Sequence, residues 1–182
     1  MNEIDFHQLV DRQYARLYRF ALSLAKSEAD AADLTQQTFF LWASKGEQLR
    51  DASKVKSWLF TTLYREFLNR RRREVRFPQV ELDDLYEEEM SVSPNSNAFD
   101  SATVLQALGQ VDEPFRAPLA LFYLEQFSYQ EIAEMLDVPI GTVMSRLSRG
   151  KTLLRKRLLS KEEARGNKVV SLESKIGGDL HG

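Results

Sequence analysis

Apolar residues recur along most of this chain at intervals of three and four, the spacing that puts them on one side of a helix. Phe6, Leu9, Val10, Leu17, Phe20, Ala21 and Leu24 predict a first helix over about residues 5–26. Ser27 with Asp30 forms an S-x-x-D start for a second, whose inner stripe is Ala31, Leu34, Thr38, Leu41 and Trp42. Lys45 followed by Gly46 marks its end. After a loop over residues 46–52, Ser53 stands where it can cap a third helix. That helix carries Val55, Trp58, Leu59, Leu63 and Phe67 and finishes in Arg70-Arg71-Arg72-Arg73. Periodicity then fades over residues 77–101, apart from a possible short helix at 82–90, and returns with Val104, Leu105, Leu108 and Val111. A further helix over about residues 114–126 contains Pro118, which delays its start or bends its first turn.

The stretch from Ser128 to Lys161 is the most specific. Ser128 and Glu131 have the form of a capping box, and Ile132, Ala133 and Leu136 follow as one apolar stripe. Asp137-Val138-Pro139 stops that helix, because the residue before a proline is pushed out of the helical region. A new helix starts near Pro139 with Val143, Leu147, Leu154 and Leu158 on its apolar side and Gly150 small beside them. Thr142, Ser145, Arg146 and Arg149 fall on the opposite side. Residues 141–161 hold seven Lys or Arg and no Asp or Glu. Two short helices at a tight turn, the second cationic with an apolar back, suit a helix lying in a DNA major groove.

Charge sharpens this picture. The net charge of −2 alone argues against nucleic acid, but its distribution does not. Residues 65–76 hold six Arg against Glu66 and Glu74, whereas residues 77–100 hold seven acidic residues and no basic one. Screening confines each local field to about 8–10 Å, so two basic segments can act separately across an acidic tether. The expected class is therefore all-α: two small helical domains joined by an acidic flexible linker, the C-terminal one a helix-turn-helix. The boundaries expected are 1–76, 77–101, 102–160 and a loose polar tail at 161–182. Cysteine is absent, which excludes disulfides and cysteine zinc sites. No apolar run reaches the ~18–20 residues of a membrane span, and the charged N-terminus lacks a signal-peptide core, so the expected location is cytoplasmic.

Three motifs make the pattern resemble a known family. Residues 30–44 (DAADLTQQTFFLWAS), 57–73 (SWLFTTLYREFLNRRRR) and 123–158 are similar, in order and spacing, to three motifs of bacterial sigma factors of the extracytoplasmic-function (ECF) group. The resemblance implies a promoter-recognition factor for RNA polymerase. The first motif implies docking on the clamp helices of the polymerase's largest subunit through Asp30, Asp33, Leu34, Gln36, Gln37 and Phe40, with Leu34, Leu41 and Trp42 also suited to the core. Gln37 stands where relatives often have Glu. The second implies capture of the separated −10 strand by the loop over residues 47–53 and the helix behind it: Arg50, Ser53, Lys56, Phe60, Tyr64, Arg65, Asn69, Arg70 and Arg72, with Trp58 read as core. The third implies −35 contacts from Thr142, Met144, Ser145, Arg146, Ser148 and Arg149. Arginine reads guanine through paired hydrogen bonds worth about 1–3 kcal/mol of discrimination. Further implied partners are the flap of the second-largest subunit and an anti-sigma factor; no cofactor or metal is expected.

Two other readings compete. A stand-alone helix-turn-helix regulator would bind intact duplex without polymerase, but has no use for an arginine-tipped N-terminal helix. A hydrolase or nuclease needs a catalytic set, yet the two histidines, His7 and His181, lie near opposite ends and no phosphate-cradling glycine loop occurs. The acidic run also lacks the glycine-punctuated spacing of a calcium loop. The expectation is a non-enzyme.

Overall fold

The computed structural model describes residues 6–25, 27–76 and 101–176, and their side chains except at 47, 101–103 and 160–176. The acidic linker and its possible short helix lie outside the described residues. All regular structure among the described residues is helical: α1 (Phe6–Leu24), α2 (Glu28–Lys45), α3 (Val55–Arg76), α4 (Ser101–Gly109), α5 (Glu113–Leu119), α6 (Tyr129–Leu136) and α7 (Ile140–Ile176).

The first three helices form one unit. Leu17, Phe20 and Ala21 of α1 are fully buried against α2 and α3. Ser27 caps α2 by accepting from the Asp30 N–H at 3.1 Å. The buried stripe of α2 is Ala31, Leu34, Thr35, Thr38, Phe39 and Trp42. Leu41 is only half buried, because the helix is rotated to bring Phe39 inward instead. Thr35 and Thr38 enter the core without cost in unpaired hydroxyls, since they donate to the carbonyls of Ala31 and Leu34. Gly46 closes α2 in right-handed backbone (φ −61°), not as a left-handed cap. Its smallness serves another purpose: a Cβ there would sit 2.7 Å from the Trp42 ring.

The second unit comprises α4–α7. Pro118 removes one N–H from the helical ladder, and residues 120–124 rewind as a π turn, so the single helix expected over 114–126 is two pieces. Gln126 then takes left-handed backbone (φ 59°), leading the chain into the Ser128 cap. The capping box of α6 is present in full: the Ser128 side chain accepts from the Glu131 N–H, and the Glu131 carboxylate accepts from the Ser128 N–H at 2.8 Å. Asp137 ends α6 in left-handed backbone (φ 52°), a conformation Asp tolerates better than most residues. Val143, Leu147, Gly150 and Leu154 form the buried back of α7. At Gly150 a Cβ would lie 2.9 Å from Leu119 Cδ1, so close approach of α7 to α5 explains the glycine. The backbone of α7 stays helical past Ser160 to Ile176, where the tail was expected to be loose. Lys161, Glu162, Glu163, Ala164 and Arg165 are good helix formers, and Gly166 costs only about 1 kcal/mol.

The two units are not held apart. Their buried residues form one continuous core, with α1 against α4 and α5, and α3 against α6. Phe60 of α3 joins them: its ring lies 5.4 Å from Phe20 in its own unit and 5.4 Å from Phe127 in the other.

Candidate nucleic-acid interface

The helix-turn-helix presents its expected face to solvent. Met144 is 52% exposed, and Ser145, Ser148 and Arg149 are exposed, while Thr142 and Arg146 are half buried. Burial of Val143 and Leu147 fixes the rotation of α7, which turns Met144 and Ser145 outward and leaves Arg146 half buried. Lys151, Arg155, Lys156 and Arg157 continue the exposed cationic face. Arg146 differs from Arg149: it lies close enough to Tyr64 of the first unit to act on that phenol electrostatically.

Around the loop before α3 the structure rearranges several expectations. Asp51, not Ser53, is the acceptor that caps the short turn at Ala52–Lys54; Ser53 donates its hydroxyl and N–H to Asp51 Oδ1 at 2.6 and 3.0 Å. Those two bonds hold the Asp51 carboxyl below the usual range. Arg50, Ser53, Arg65, Asn69 and Arg72 are exposed. Phe60 is not available to stack on a base, because it is 1% exposed in the shared core. Trp58 packs edge-on against Trp42 with centroids 5.2 Å apart. Tyr64 is half buried, and burial raises its pKa. Arg70 is engaged elsewhere: it pairs with Asp30 at 2.9 Å and Asp33 at 3.7 Å.

That pairing joins the end of α3 to the expected docking face. A groove of about 640 Å³ runs between α2 and α3, lined by Asp33, Leu34, Gln36, Gln37, Phe40, Glu66, Asn69, Arg70 and Arg73. Leu34 is a buried floor residue at 2% exposure, whereas Phe40 stands out at 65%. A large aromatic ring exposed beside Gln36, Gln37 and Asp33 is a surface feature that the core of α2 does not require. Asp30 contributes to this region only through Arg70.

Sequence reasoning missed one cluster altogether. Glu125 is fully buried and lies under three cations of the first unit: Arg16 at 2.8 Å, Arg19 at 3.9 Å and Lys56 at 4.0 Å. Lys56 Nζ also donates to the Glu125 carbonyl at 2.8 Å and sits 4.1 Å from the centre of the Phe127 ring. Burial pushes the Glu125 carboxyl up and the Lys56 ammonium down; the opposite charges only partly offset it. A charged residue inside the apolar run LFYLEQF was the available signal, together with Arg16 and Arg19 one helical turn apart on α1.

A capped helix-turn-helix with a cationic outer face, packed on a unit carrying a polar, aromatic-rimmed groove, has the form of a bipartite helical DNA-binding protein. Comparison with known proteins makes the assignment particular. Residues 9–77 match the Sigma-70 region 2 family, and residues 101–154 match Sigma-70, region 4. The chain is 34% identical over 153 residues to ECF RNA polymerase sigma factor SigE of Mycolicibacterium smegmatis, covering 81% of this chain and 59% of that protein. It is 33% identical over 143 residues to ECF RNA polymerase sigma factor SigL of Mycobacterium tuberculosis, covering 76% of this chain and 80% of that one. Among solved structures it is similar to the sigma factor RpoE in complex with the anti-sigma factor NepR from Bartonella quintana. That match has a TM-score of 0.72 and 30% identity, and covers 85% of this chain and 96% of the other. The chain belongs to the ECF group of RNA polymerase sigma factors.

Proposed function

We propose that the chain docks on core RNA polymerase through the α2–α3 groove, places it at promoters through α7, and holds the opened −10 strand with the loop before α3. It acts as a cytoplasmic initiation factor and not as an enzyme. The observation that carries this reading is Phe40, exposed at 65% above a groove of Asp33, Gln36, Gln37 and Asn69. It supports docking on the largest subunit's clamp helices. Arg149 and Arg146 are the residues suited to guanine in the −35 element, with Thr142, Met144, Ser145 and Ser148 beside them. Arg50, Ser53, Lys56, Tyr64, Arg65, Asn69 and Arg72 serve the −10 strand; Phe60 acts by packing. Arg70 orients Asp30 and Asp33 and joins the docking face. The polymerase flap is a second contact for the α4–α7 unit, and the likeness to a sigma factor held by an anti-sigma factor supports a partner of that kind here.

The test is in vitro transcription with purified core polymerase and genomic template, with start sites sequenced. A shared −35 and −10 pair upstream of the starts is the expected result. If no start appears while the chain alone binds intact duplex tightly, it is a stand-alone regulator. Duplex binding by the chain should weaken steeply with salt, as counterion release requires.

A further inference from the structure

Glu125 presents an unusual balance. Its carboxylate is wholly buried, yet each of its three cationic neighbours belongs to the other unit. Its own unit supplies no described hydrogen bond or ion pair to that carboxylate. Two atoms of the cluster, Glu125 Oε1 and Arg19 Nε, are buried without a hydrogen-bond partner. A cluster built only to stabilise one packing would satisfy such atoms. Arg16 and Arg19, by contrast, already converge with Lys56 from two helices of one unit. If the units part, three positive charges stand beside the −10 capture loop, since Lys56 follows Ser53 by three residues.

Arg71 of α3 and Glu113 of α5 make a second ion pair between the units at 2.8 Å, but the cleft next to the capture loop points the same way as Glu125. A cleft between the units is lined by Leu49, Lys54, Trp58, Thr61, Thr62 and Arg65 on one side, and by Glu131, Glu134 and Met135 of α6 on the other. In the closed chain, carboxylates of the second unit therefore cover the surface that a separated strand would use. Glu131 is committed to Ser128, which leaves Glu125 as the carboxylate in direct contact with the cations.

We infer that Arg16, Arg19 and Lys56 form an anion site that Glu125 fills in the closed chain and a backbone phosphate of single-stranded DNA fills in the open one. This rests on the proposed strand-holding role of the first unit. Glu125 thus acts as an internal competitor: closing the chain and gripping the strand use the same three cations.

The experiment uses the full chain. Because it has no cysteine, a dye pair on Ala43→Cys and Gln110→Cys reports the separation of the units. A fluorescein-labelled single strand of about 12 nucleotides reports phosphate binding by anisotropy across a salt series. Glu125→Gln should widen the dye separation and tighten strand binding by about fivefold or more, a typical coupling between linked sites. Arg16→Ala should also widen the separation but give no such gain, and its log–log salt slope should be shallower by about 0.7 for the lost phosphate contact. Unchanged separation in Glu125→Gln overturns the inference. So does a wider separation with unchanged strand affinity, or a gain in Arg16→Ala equal to that in Glu125→Gln. Should circular dichroism show Glu125→Gln unfolded, the Arg16→Ala salt slope decides alone: an unaltered slope overturns the site. The parent role is tested separately, by whether the unmodified chain starts transcription with core polymerase.

Discussion

Phe40→Ala separates docking from folding. The ring is 65% exposed, so only about a third of it is covered in the free chain. Fully burying a phenylalanine is worth about 1.5–3 kcal/mol, so the covered third accounts for about 0.5–1 kcal/mol. Alanine is also the better helix former in the middle of α2, by up to about 0.5 kcal/mol. The two terms nearly cancel, and the denaturation midpoint should hardly move. Docking is another matter. An aromatic anchor buried at the centre of an interface commonly costs about 2 kcal/mol or more when truncated. At about 1.4 kcal/mol per tenfold, that is a loss of about 30-fold in affinity for core polymerase. Titration of labelled polymerase with the wild-type and variant chains, next to urea denaturation of both, reads the two quantities. Unchanged polymerase affinity would refute the docking role of the groove. A fall in stability large enough to account for the lost binding would refute the reading of Phe40 as a surface anchor.

Other expectations are more local. Arg149→Ala should lower −35-dependent transcription by about tenfold, within the 1–3 kcal/mol of a bidentate guanine contact, while polymerase pull-down stays unchanged; equal loss of both would count against it. Gly46→Ala should lower stability by about 1–3 kcal/mol, because its Cβ would meet the rigid Trp42 ring at 2.7 Å. That outweighs the 0.4–1 kcal/mol gained from a stiffer unfolded chain, and the tryptophan fluorescence, which comes from Trp42 and Trp58, should shift with it. Ser128→Ala should cost about 1 kcal/mol by removing the α6 cap, read as a lower melting temperature. The Glu131 carboxyl is held below its usual range, first by the Ser128 N–H and then by its hydroxyl. Its contribution is therefore in place above the unfolded-state value of about 4.3 and is lost as pH falls through the lower folded value, so Glu131→Gln should flatten the acid limb of the melting curve.

The elements that could be read from sequence were those decided locally. Ser27, and Ser128 with Glu131, are caps whose hydrogen bonds span three residues, and both are formed. The apolar back of α7 was legible because Val143, Leu147 and Leu154 repeat within one helix. Errors arose where a neighbour decided the outcome. Ser53 has the chemistry of a cap, but Asp51 two residues earlier is the stronger acceptor and accepts hydrogen bonds from its hydroxyl and N–H. Leu41 and Phe39 differ by two positions, and only the place of α1 against α2 selects which turns inward. Phe60 had the chemistry of a base-stacking residue; Phe127, distant in sequence, makes it core. Arg70 reads as part of a basic run until Asp30 and Asp33 are seen beside it.

These last two cases bear on mechanism. Phe60, Lys56 and Tyr64 all belong to the helix assigned to the −10 strand, and all three are engaged by the second unit. Phe60 meets Phe127, Lys56 meets Glu125, and Tyr64 lies near Arg146 of the −35 face. In this arrangement the second unit covers part of the proposed −10 surface, while Met144, Ser145, Ser148 and Arg149 stay exposed. On the proposed reading, holding the −10 strand therefore draws the units apart. Separation exposes the ring of Phe127 and part of Phe60 to water, at about 25 cal/mol for each Å² of apolar surface. It also returns Glu125 and Lys56 to solvent, relieving the burial that disfavours both charges. The apolar contact, the ion pairs of Glu125 and the Arg71–Glu113 pair hold the closed form, and the burial of Glu125 and Lys56 weakens that hold. Such an opposition keeps two arrangements within reach of each other, so that binding polymerase and DNA can choose between them.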